Sequence, residues 1–315
     1  LNKIDINYEK RKLHYLSNYK GIWLLYINTF FEELLLLINF LKKNKSKYLY
    51  IPGGSSSVKS VIAGIITRKK IFWHIHDVHS NIMLRLSYFI FSFFVYKIIF
   101  ASKKSYEFYP NFFNKKKIRI FQSAVFKDGQ NKLKKKKLYQ FNVGMIANFN
   151  PIKNIEFFLR IIKKFKYDNN FYFYLYGQVW HTQKSYFNLC NKIILNNKIK
   201  NLKILSKINN NFFFKKIDLY ICTSKSESSP LSIWEAVSKN IPVISTNVGD
   251  IEQLNKKKKF AYVINSENEN LFYKKIKKLC LDHKTYIKMC ENSALAYKKF
   301  FDIETYAKRF IKLLD

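Results

Sequence analysis

The chain has 315 residues, 48% of them hydrophobic, which is enough material for two domains with buried cores. Its four cysteines show no close pairing, so no zinc or redox motif is indicated and a reducing cytoplasm is the natural setting. The formal net charge of +36 favours an anionic partner. A genome rich in A and T explains the same excess of lysine, because the chain is rich in residues with A- and T-rich codons. No nucleic acid partner is expected, because there is no arginine-rich stripe with interleaved aromatic residues.

Two apolar stretches are candidates for membrane spans, and neither fits. Trp23–Leu41 contains Glu32 and Glu33 at its middle, where carboxylates make spanning costly. Leu86–Tyr96 has only eleven residues, whereas a span needs about 20. Leu1 does not begin a signal peptide, and the lack of an initiating Met predicts that the sequence starts inside a longer chain.

Strands and helices alternate along nearly the whole chain, which predicts parallel sheets covered on both faces. The strands predicted in the first half are Tyr48–Ile51, Ile71–His76, Lys97–Ala101 and Ile118–Phe121. Those predicted in the second half are Asn142–Ile146, Phe171–Tyr176, Leu202–Leu205, Asp218–Thr223, Pro242–Thr246 and Ala261–Ile264. Three helices follow, predicted at Glu267–Leu281, Thr285–Lys299 and Ile303–Leu314.

The polar run Lys127–Lys137 has no apolar periodicity and is the best linker candidate. We therefore predict an α/β protein with two doubly wound, Rossmann-like domains and a cleft between them. The predicted boundaries are 1–134 for the first domain, 135–295 for the second domain, and 296–315 for a final helix. Ligands of such sheets bind beyond the carboxyl ends of the strands.

A helix start after the fourth strand of the second half is the main candidate site. Ser229 is predicted as the helix N-cap and Pro230 as its first residue. The backbone N–H groups of Leu231 and the next residue would then attract a phosphate. Glu227 lies just before this start and Glu235 just inside the helix, where their carboxylates suit sugar hydroxyls. Alone, each of these features also occurs in proteins without a ligand.

The surroundings of the two glutamates resemble the signature of retaining glycosyltransferases of family 4, which have the GT-B fold. The resemblance includes the seven residues that separate the glutamates. It also includes Ala236 and Val237 and the segment Ile241–Gly249, which follow Glu235. It also covers earlier segments, namely Gln122–Val125, Val143–Ala147 with Lys153, Leu175–Gly177, and Asp218 with Ser224.

The resemblance implies roles for these residues. Glu227 is expected to bind donor-sugar hydroxyls, Glu235 the ribose, and Lys153 the leaving diphosphate. The remaining substrate-binding candidates surround them, and they are Gly144, Gly177, Ser228, Ser229, Pro230 and Leu231. No metal cofactor is implied, and the sequence has no Asp-x-Asp to hold one. The resemblance further implies that 1–134 is the acceptor-side domain, lacking its start, and that 135–295 is the nucleotide-sugar-binding domain. The final helix, 296–315, is expected to cross back onto the first domain.

The first half adds a histidine cluster and a glycine turn. The resemblance implies that His76 touches the donor sugar and serves as a catalytic residue, whereas His74 fits a core position. A metal site built with His79 is the weaker interpretation, because His79 lies beyond the strand end. Gly53 and Gly54 form either an ordinary turn or a loop whose backbone approaches acceptor or phosphate.

One departure from the family pattern is visible. The family has an arginine shortly before the lysine, and here Met145, Asn148 and Asn150 occupy the available places. The predicted function is retaining transfer from a nucleoside-diphosphate sugar to a glycan or lipid-linked acceptor, in bacterial cell-surface polysaccharide or lipopolysaccharide synthesis. The expected location is cytoplasmic, peripherally on the inner face of the plasma membrane. A degenerate GT-B protein that binds nucleotide sugar or a protein partner, or a nucleotide-sugar epimerase, stays as an alternative.

Overall fold

The computed structural model describes residues 22–53, 57–76, 82–109, 113–127, 140–206 and 209–314. These residues form two compact units, of which the first comprises the described residues up to Ala101 together with Ser105–Ile120. The second unit comprises Ser102–Lys104 and the described residues from Phe121 onward. The predicted linker lies mostly outside the described residues, and the predicted boundary after residue 134 falls there as well and stays a prediction.

The first unit contains a four-stranded parallel sheet in the order β1-β2-β3-β4. Its strands are β1 Tyr48–Pro52, β2 Lys70–Ile75, β3 Lys97–Phe100 and β4 Ile118–Ile120. In β2 every residue after Lys70 is buried, as expected for a strand covered on both faces. Trp73, Tyr88 and Phe100 form the centre of its core.

The second unit contains a six-stranded parallel sheet in the order β10-β9-β8-β5-β6-β7. Its strands are β5 Phe141–Ile146, β6 Phe171–Tyr176, β7 Leu202–Leu205, β8 Leu219–Cys222, β9 Val243–Thr246 and β10 Ala261–Ile264. Successive residues of β8 enter different core clusters. Leu219 belongs to the cluster that contains Phe158, and Tyr220 belongs to the cluster that contains Trp234. Because successive side chains of a strand point to opposite faces, this sheet is covered on both sides.

All ten predicted strands are present, and no predicted end is displaced by more than one residue. The α/β class with parallel sheets is therefore confirmed. The helices before β5 are α1 Ile22–Asn28, α2 Phe30–Lys43, α3 Val58–Ile66, α4 Ile82–Ser92 and α5 Lys103–Glu107. The later helices are α6 Ile155–Lys163, α7 Lys184–Asn196, α8 Asn210–Lys216, α9 Leu231–Ser238, α10 Ile251–Lys258, α11 Glu269–Leu281, α12 His283–Ala296 and α13 Ile303–Ile311. Within the described part of the chain, no helix is long and apolar enough to cross a bilayer.

The C-terminal tail packs within the second unit. After α12 the chain makes a π-helical turn, Tyr297–Phe301, and then Asp302 caps α13 by accepting a hydrogen bond from the N–H of Thr305 at 2.9 Å. The ring of Phe301 stacks on Trp234 with a centroid distance of 4.0 Å. The predicted break near Asp302 is thus confirmed, while the predicted packing of this helix on the first domain stays a prediction.

Candidate functional site

The candidate site lies at the carboxyl edge of the second sheet, between β5 and β8, where the order of strand addition changes direction. β5 and β8 are neighbours, but the chain continues from β5 to β6 on one side and from β8 to β9 on the other. The loops after these two strands therefore diverge at the carboxyl edge and leave a crevice, which is the usual ligand position in such sheets. Lys153 lies in the loop after β5, and Glu227 lies in the loop after β8.

Lys153 and Glu227 form an ion pair in this crevice. The Nζ atom of Lys153 lies 2.9 Å from Oε1 of Glu227, and the side chains are 28% and 12% exposed. The hydroxyl of Ser224 donates to the same Oε1 at 2.6 Å. Burial raises the pKa of the Cys222 thiol to about 11, so this thiol stays protonated 3.9 Å from Oε1. Among the described residues, Oε2 of Glu227 receives no donor, so one carboxylate oxygen is available for a hydroxyl.

Backbone contacts hold both halves of the pair. Lys153 ends a short helical turn that Asn150 caps, because the Asn150 side chain accepts from the N–H of Ile152 at 3.0 Å. The N–H of Gly249 donates to the Glu227 carbonyl at 3.0 Å. Gly249 has φ +50, and a Cβ there would lie 2.8 Å from the Ser228 carbonyl oxygen. Glycine therefore lets the end of β9 approach the loop that carries Glu227.

The prediction for the start of α9 is wrong by one residue. The helix begins at Leu231, and the carbonyl of Pro230 accepts its first bonds from Ile233 and Trp234. Ser229 does not act as the N-cap, because its hydroxyl instead accepts a hydrogen bond from Nε1 of Trp234 at 3.0 Å. The N–H groups of Leu231 and Ser232 still have no acceptor within the helix.

Ser228 contributes an unsatisfied polar group to this loop. Its hydroxyl oxygen is buried and has no hydrogen-bond partner among the described residues. Such a group is costly unless something satisfies it, and a ligand hydroxyl or phosphate oxygen is suited to do so.

Glu235 lies further along α9 and lines a cavity that does not include Lys153 or Glu227 among its described lining residues. The amide of Asn210 approaches its two carboxylate oxygens at 3.3 and 3.4 Å. Burial raises the pKa of the Glu235 carboxyl above its ordinary value, and the Asn210 contact and the charge of Lys239 oppose that shift. The two side chains line a cavity of about 380 Å³ together with Leu231 and Phe126.

The two predicted glycines of the second unit lie in tightly packed places. A Cβ on Gly177, directly after β6, would lie 1.9 Å from the backbone oxygen of Ala147, directly after β5. A Cβ on Gly144 would meet the side chains of Phe213 and Ile217 at 2.6–2.9 Å. Both positions thus have a packing reason for glycine, and their substrate contacts stay predictions.

In the first unit, His76 follows β2 and Gly53 follows β1. The rings of His74 and His76 lie 3.9 Å apart. His74 is buried, and this burial, followed by the charge of His76, lowers its pKa to about 3, while Tyr50 hydrogen-bonds its Nδ1. His74 is therefore a neutral core histidine, as predicted. Gly53 has φ +99, and its carbonyl accepts from Nε1 of Trp73 at 2.9 Å.

Gly54 and His79 lie outside the described residues. The described part of the chain contains no group of three or more His, Cys, Asp or Glu side chains placed to hold a metal ion. The proposed sugar contact of His76 stays a prediction.

Residues 126–295, more than half of the chain, match the family model of glycosyl transferases group 1. The chain belongs to this family. It is an enzyme of the glycosyltransferase class. A comparison with curated protein sequences finds no match.

Solved structures show the same fold as this glycosyltransferase at low sequence identity. HepE from Anabaena, in complex with UDP and glucose, is 15% identical with a TM-score of 0.78, over 89% of this chain and 80% of that chain. A glycosyltransferase from Rickettsia africae is 17% identical with a TM-score of 0.77, over 95% and 82%. Sucrose-phosphate synthase from Thermosynechococcus elongatus is 11% identical with a TM-score of 0.77, over 92% and 78%. The predicted GT-B fold class is thereby confirmed.

Two contacts at the candidate site of this glycosyltransferase were not predicted from its sequence. The Asn210 contact with Glu235 joins residues far apart in the chain, and no sequence signal indicates it. The Ser224 contact with Glu227 joins residues only three apart in the chain. The family pattern includes Ser224, but the resemblance assigns it no role in the site.

Proposed function

We propose that this glycosyltransferase is a retaining enzyme of family 4 that transfers a sugar from a nucleoside-diphosphate donor to a hydroxyl of a glycan or lipid-linked acceptor. The observation that carries the proposal is the ion pair between Lys153 and Glu227 beside the start of α9. It puts a cation, a carboxylate and helix amides in one crevice, which is what a sugar diphosphate needs.

The donor's charged and neutral parts meet different groups in this proposal. The ammonium of Lys153 and the amides of Leu231 and Ser232 bind the diphosphate. Oε2 of Glu227 accepts a hydrogen bond from a sugar hydroxyl, and Glu235 accepts one from the ribose. The unsatisfied hydroxyl of Ser228 gains its missing partner when the donor binds.

Lys153 also acts during the reaction. The bond between the anomeric carbon and the diphosphate oxygen breaks, and negative charge grows on the leaving phosphate. A cation that is already fixed nearby stabilises that charge without reorganisation. The acceptor oxygen bonds to the anomeric carbon from the same face, and its proton passes to the leaving phosphate. Because Lys153 supplies the positive charge, no metal ion is required.

The proposed donor is a UDP-sugar, since HepE, which shares the fold, has been solved in complex with UDP-glucose. The proposed setting is bacterial cell-surface polysaccharide or lipopolysaccharide assembly, at the cytoplasmic face of the membrane. The net charge of +36 favours contact with anionic lipid there.

A donor panel tests the proposal. UDP-, GDP- and ADP-sugars are compared by thermal shift, and release of nucleoside diphosphate is then measured with and without a glycan acceptor, in buffer containing EDTA. We expect the UDP-sugars to bind, release of UDP to depend on the acceptor, and the product to keep the donor's anomeric configuration. Donor conversion without acceptor would instead indicate an epimerase. Binding without turnover would indicate a degenerate protein, in line with Met145, Asn148 and Asn150 replacing the family's arginine.

A further inference from the structure

One edge of the sheet in the first unit is strongly basic. The four strands are parallel, so their amino ends all lie at the same edge. Eight lysines lie at or just before the starts of these strands or at the C-terminal end of α2. We call this set the basic edge, and it comprises Lys42, Lys43, Lys47, Lys69, Lys70, Lys97, Lys116 and Lys117. The opposite, carboxyl edge carries Gly53 and His76 and no comparable lysine set among the described residues.

An open cavity lies in this edge. It has a volume of about 530 Å³, and five lysines of the basic edge line it without any Asp or Glu among the described lining residues. The Nζ atoms of Lys70 and Lys97 lie 4.8 and 4.9 Å from the centroid of the Tyr96 ring. The cavity thus combines several cations with an amphipathic aromatic ring, a combination suited to an interface between lipid headgroups and water.

Apolar side chains continue the same surface. Phe93 and Phe94 line the cavity and are 61% and 60% exposed. On α4, Leu86 and Ile90 are also exposed, and their spacing places them on the face that leads to the two phenylalanines. Solvent-exposed phenylalanines beside lysines match a helix end that enters a membrane interface, where the apolar groups insert and the ammonium groups meet lipid phosphates.

We propose that the basic edge, with Phe93 and Phe94, is the surface by which this protein binds an anionic phospholipid bilayer. The partner follows from charge complementarity, because five lysines are clustered around one cavity beside exposed phenylalanines rather than spread evenly over the unit. This extends the proposed membrane contact to a defined surface. It also fixes an orientation for the first unit, with its carboxyl edge, Gly53 and His76 facing away from the lipid.

Vesicle co-sedimentation of the full chain tests this surface. Phosphatidylcholine vesicles with and without phosphatidylglycerol are used, at low and high salt. The test variant replaces Lys70, Lys97 and Lys116 with glutamine. The matched control replaces Lys256, Lys257 and Lys258 of α10, which removes the same charge from the second unit. A third variant, with Phe93→Ser and Phe94→Ser, removes the apolar part.

We expect the wild type to bind only the anionic vesicles, with affinity falling as salt rises. The test variant should bind about a hundredfold more weakly, at about fivefold per lysine, while the control keeps most of its affinity. The phenylalanine variant should lose binding at the higher salt first. Equal losses in the test and control variants, or no vesicle binding by the wild type, would overturn the proposal. No sugar donor is present, so the result is independent of the proposed transfer reaction.

Discussion

The ammonium of Lys153 and the carboxylate of Glu227 lie 2.9 Å apart, and each comes from the loop after a different strand of one sheet. The pair connects the loop after β5 to the loop after β8 across the position where the chain reverses. Under the proposed function, an incoming diphosphate would compete with Glu227 for Lys153, and a sugar hydroxyl would gain access to Glu227. In the protein without donor, the ion pair holds both side chains in place.

Removing the cation is the strongest test of the reaction. In Lys153→Ala we expect kcat to fall by at least about a hundredfold, because a fixed charge at the leaving group is lost. Lys225→Ala is the matched control, since Lys225 is an exposed lysine two residues before Glu227. Steady-state release of nucleoside diphosphate measures both variants. Transfer by Lys153→Ala at close to the wild-type rate would rule out the proposed role.

Ser228→Ala separates binding from stability. The buried hydroxyl has no partner in the free protein, so its removal should leave the melting temperature unchanged or raise it. Donor affinity should fall by about fivefold, corresponding to about 1 kcal/mol for one hydrogen bond. Thermal melts without and with donor give both quantities. A destabilised free protein with unaltered donor affinity would show that the hydroxyl has a structural partner instead.

Glu235→Gln tests the half-buried carboxylate of Glu235 through the pH dependence of stability. Because burial raises its pKa on folding, ionised Glu235 destabilises the fold, and that cost appears as pH rises through the raised pKa. The variant should therefore be more stable than the wild type at neutral pH, and the difference should vanish below the ordinary pKa of a glutamic acid. Urea unfolding across pH measures this. Glu304→Gln, at an exposed position of α13, controls for the loss of one negative charge. A gain that is independent of pH would contradict the assignment.

Two alanine substitutions in the second unit, Gly177→Ala and Gly144→Ala, test the packing reasons for glycine at these positions. The new methyl group at residue 177 would lie 1.9 Å from the rigid backbone oxygen of Ala147, whereas at residue 144 it would meet side-chain atoms of Ile217 and Phe213 at 2.6–2.9 Å. Gly177→Ala should cost about 3 kcal/mol of unfolding free energy or more, and Gly144→Ala about 1 kcal/mol. Denaturant titration compares them, and an equal or reversed order would refute the packing argument.

The strands were predictable because their pattern is local. Buried parallel strands such as Leu219–Cys222 are short apolar runs between polar turns, and both features are visible in the sequence. The start of α9 was missed by one residue for a tertiary reason, since Trp234 uses the Ser229 hydroxyl that would otherwise cap the helix. The family resemblance assigned Lys153 and Glu227 to one site but did not predict their ion pair, because spacing along the chain does not show how close the loops after β5 and β8 lie.

The length of the strands in the first sheet sets the distance between its basic edge and its carboxyl edge. β1 has five residues and β2 has six, and at about 3.3 Å per residue they separate the basic edge from Gly53 and His76 by roughly 16–20 Å. With lipid held at the basic edge, an acceptor must extend about that far from the bilayer to reach the carboxyl edge of this sheet. This separation would select acceptors by their length. A lipid that carries only its first sugar is too short to reach the carboxyl edge, whereas a chain of several sugars is long enough.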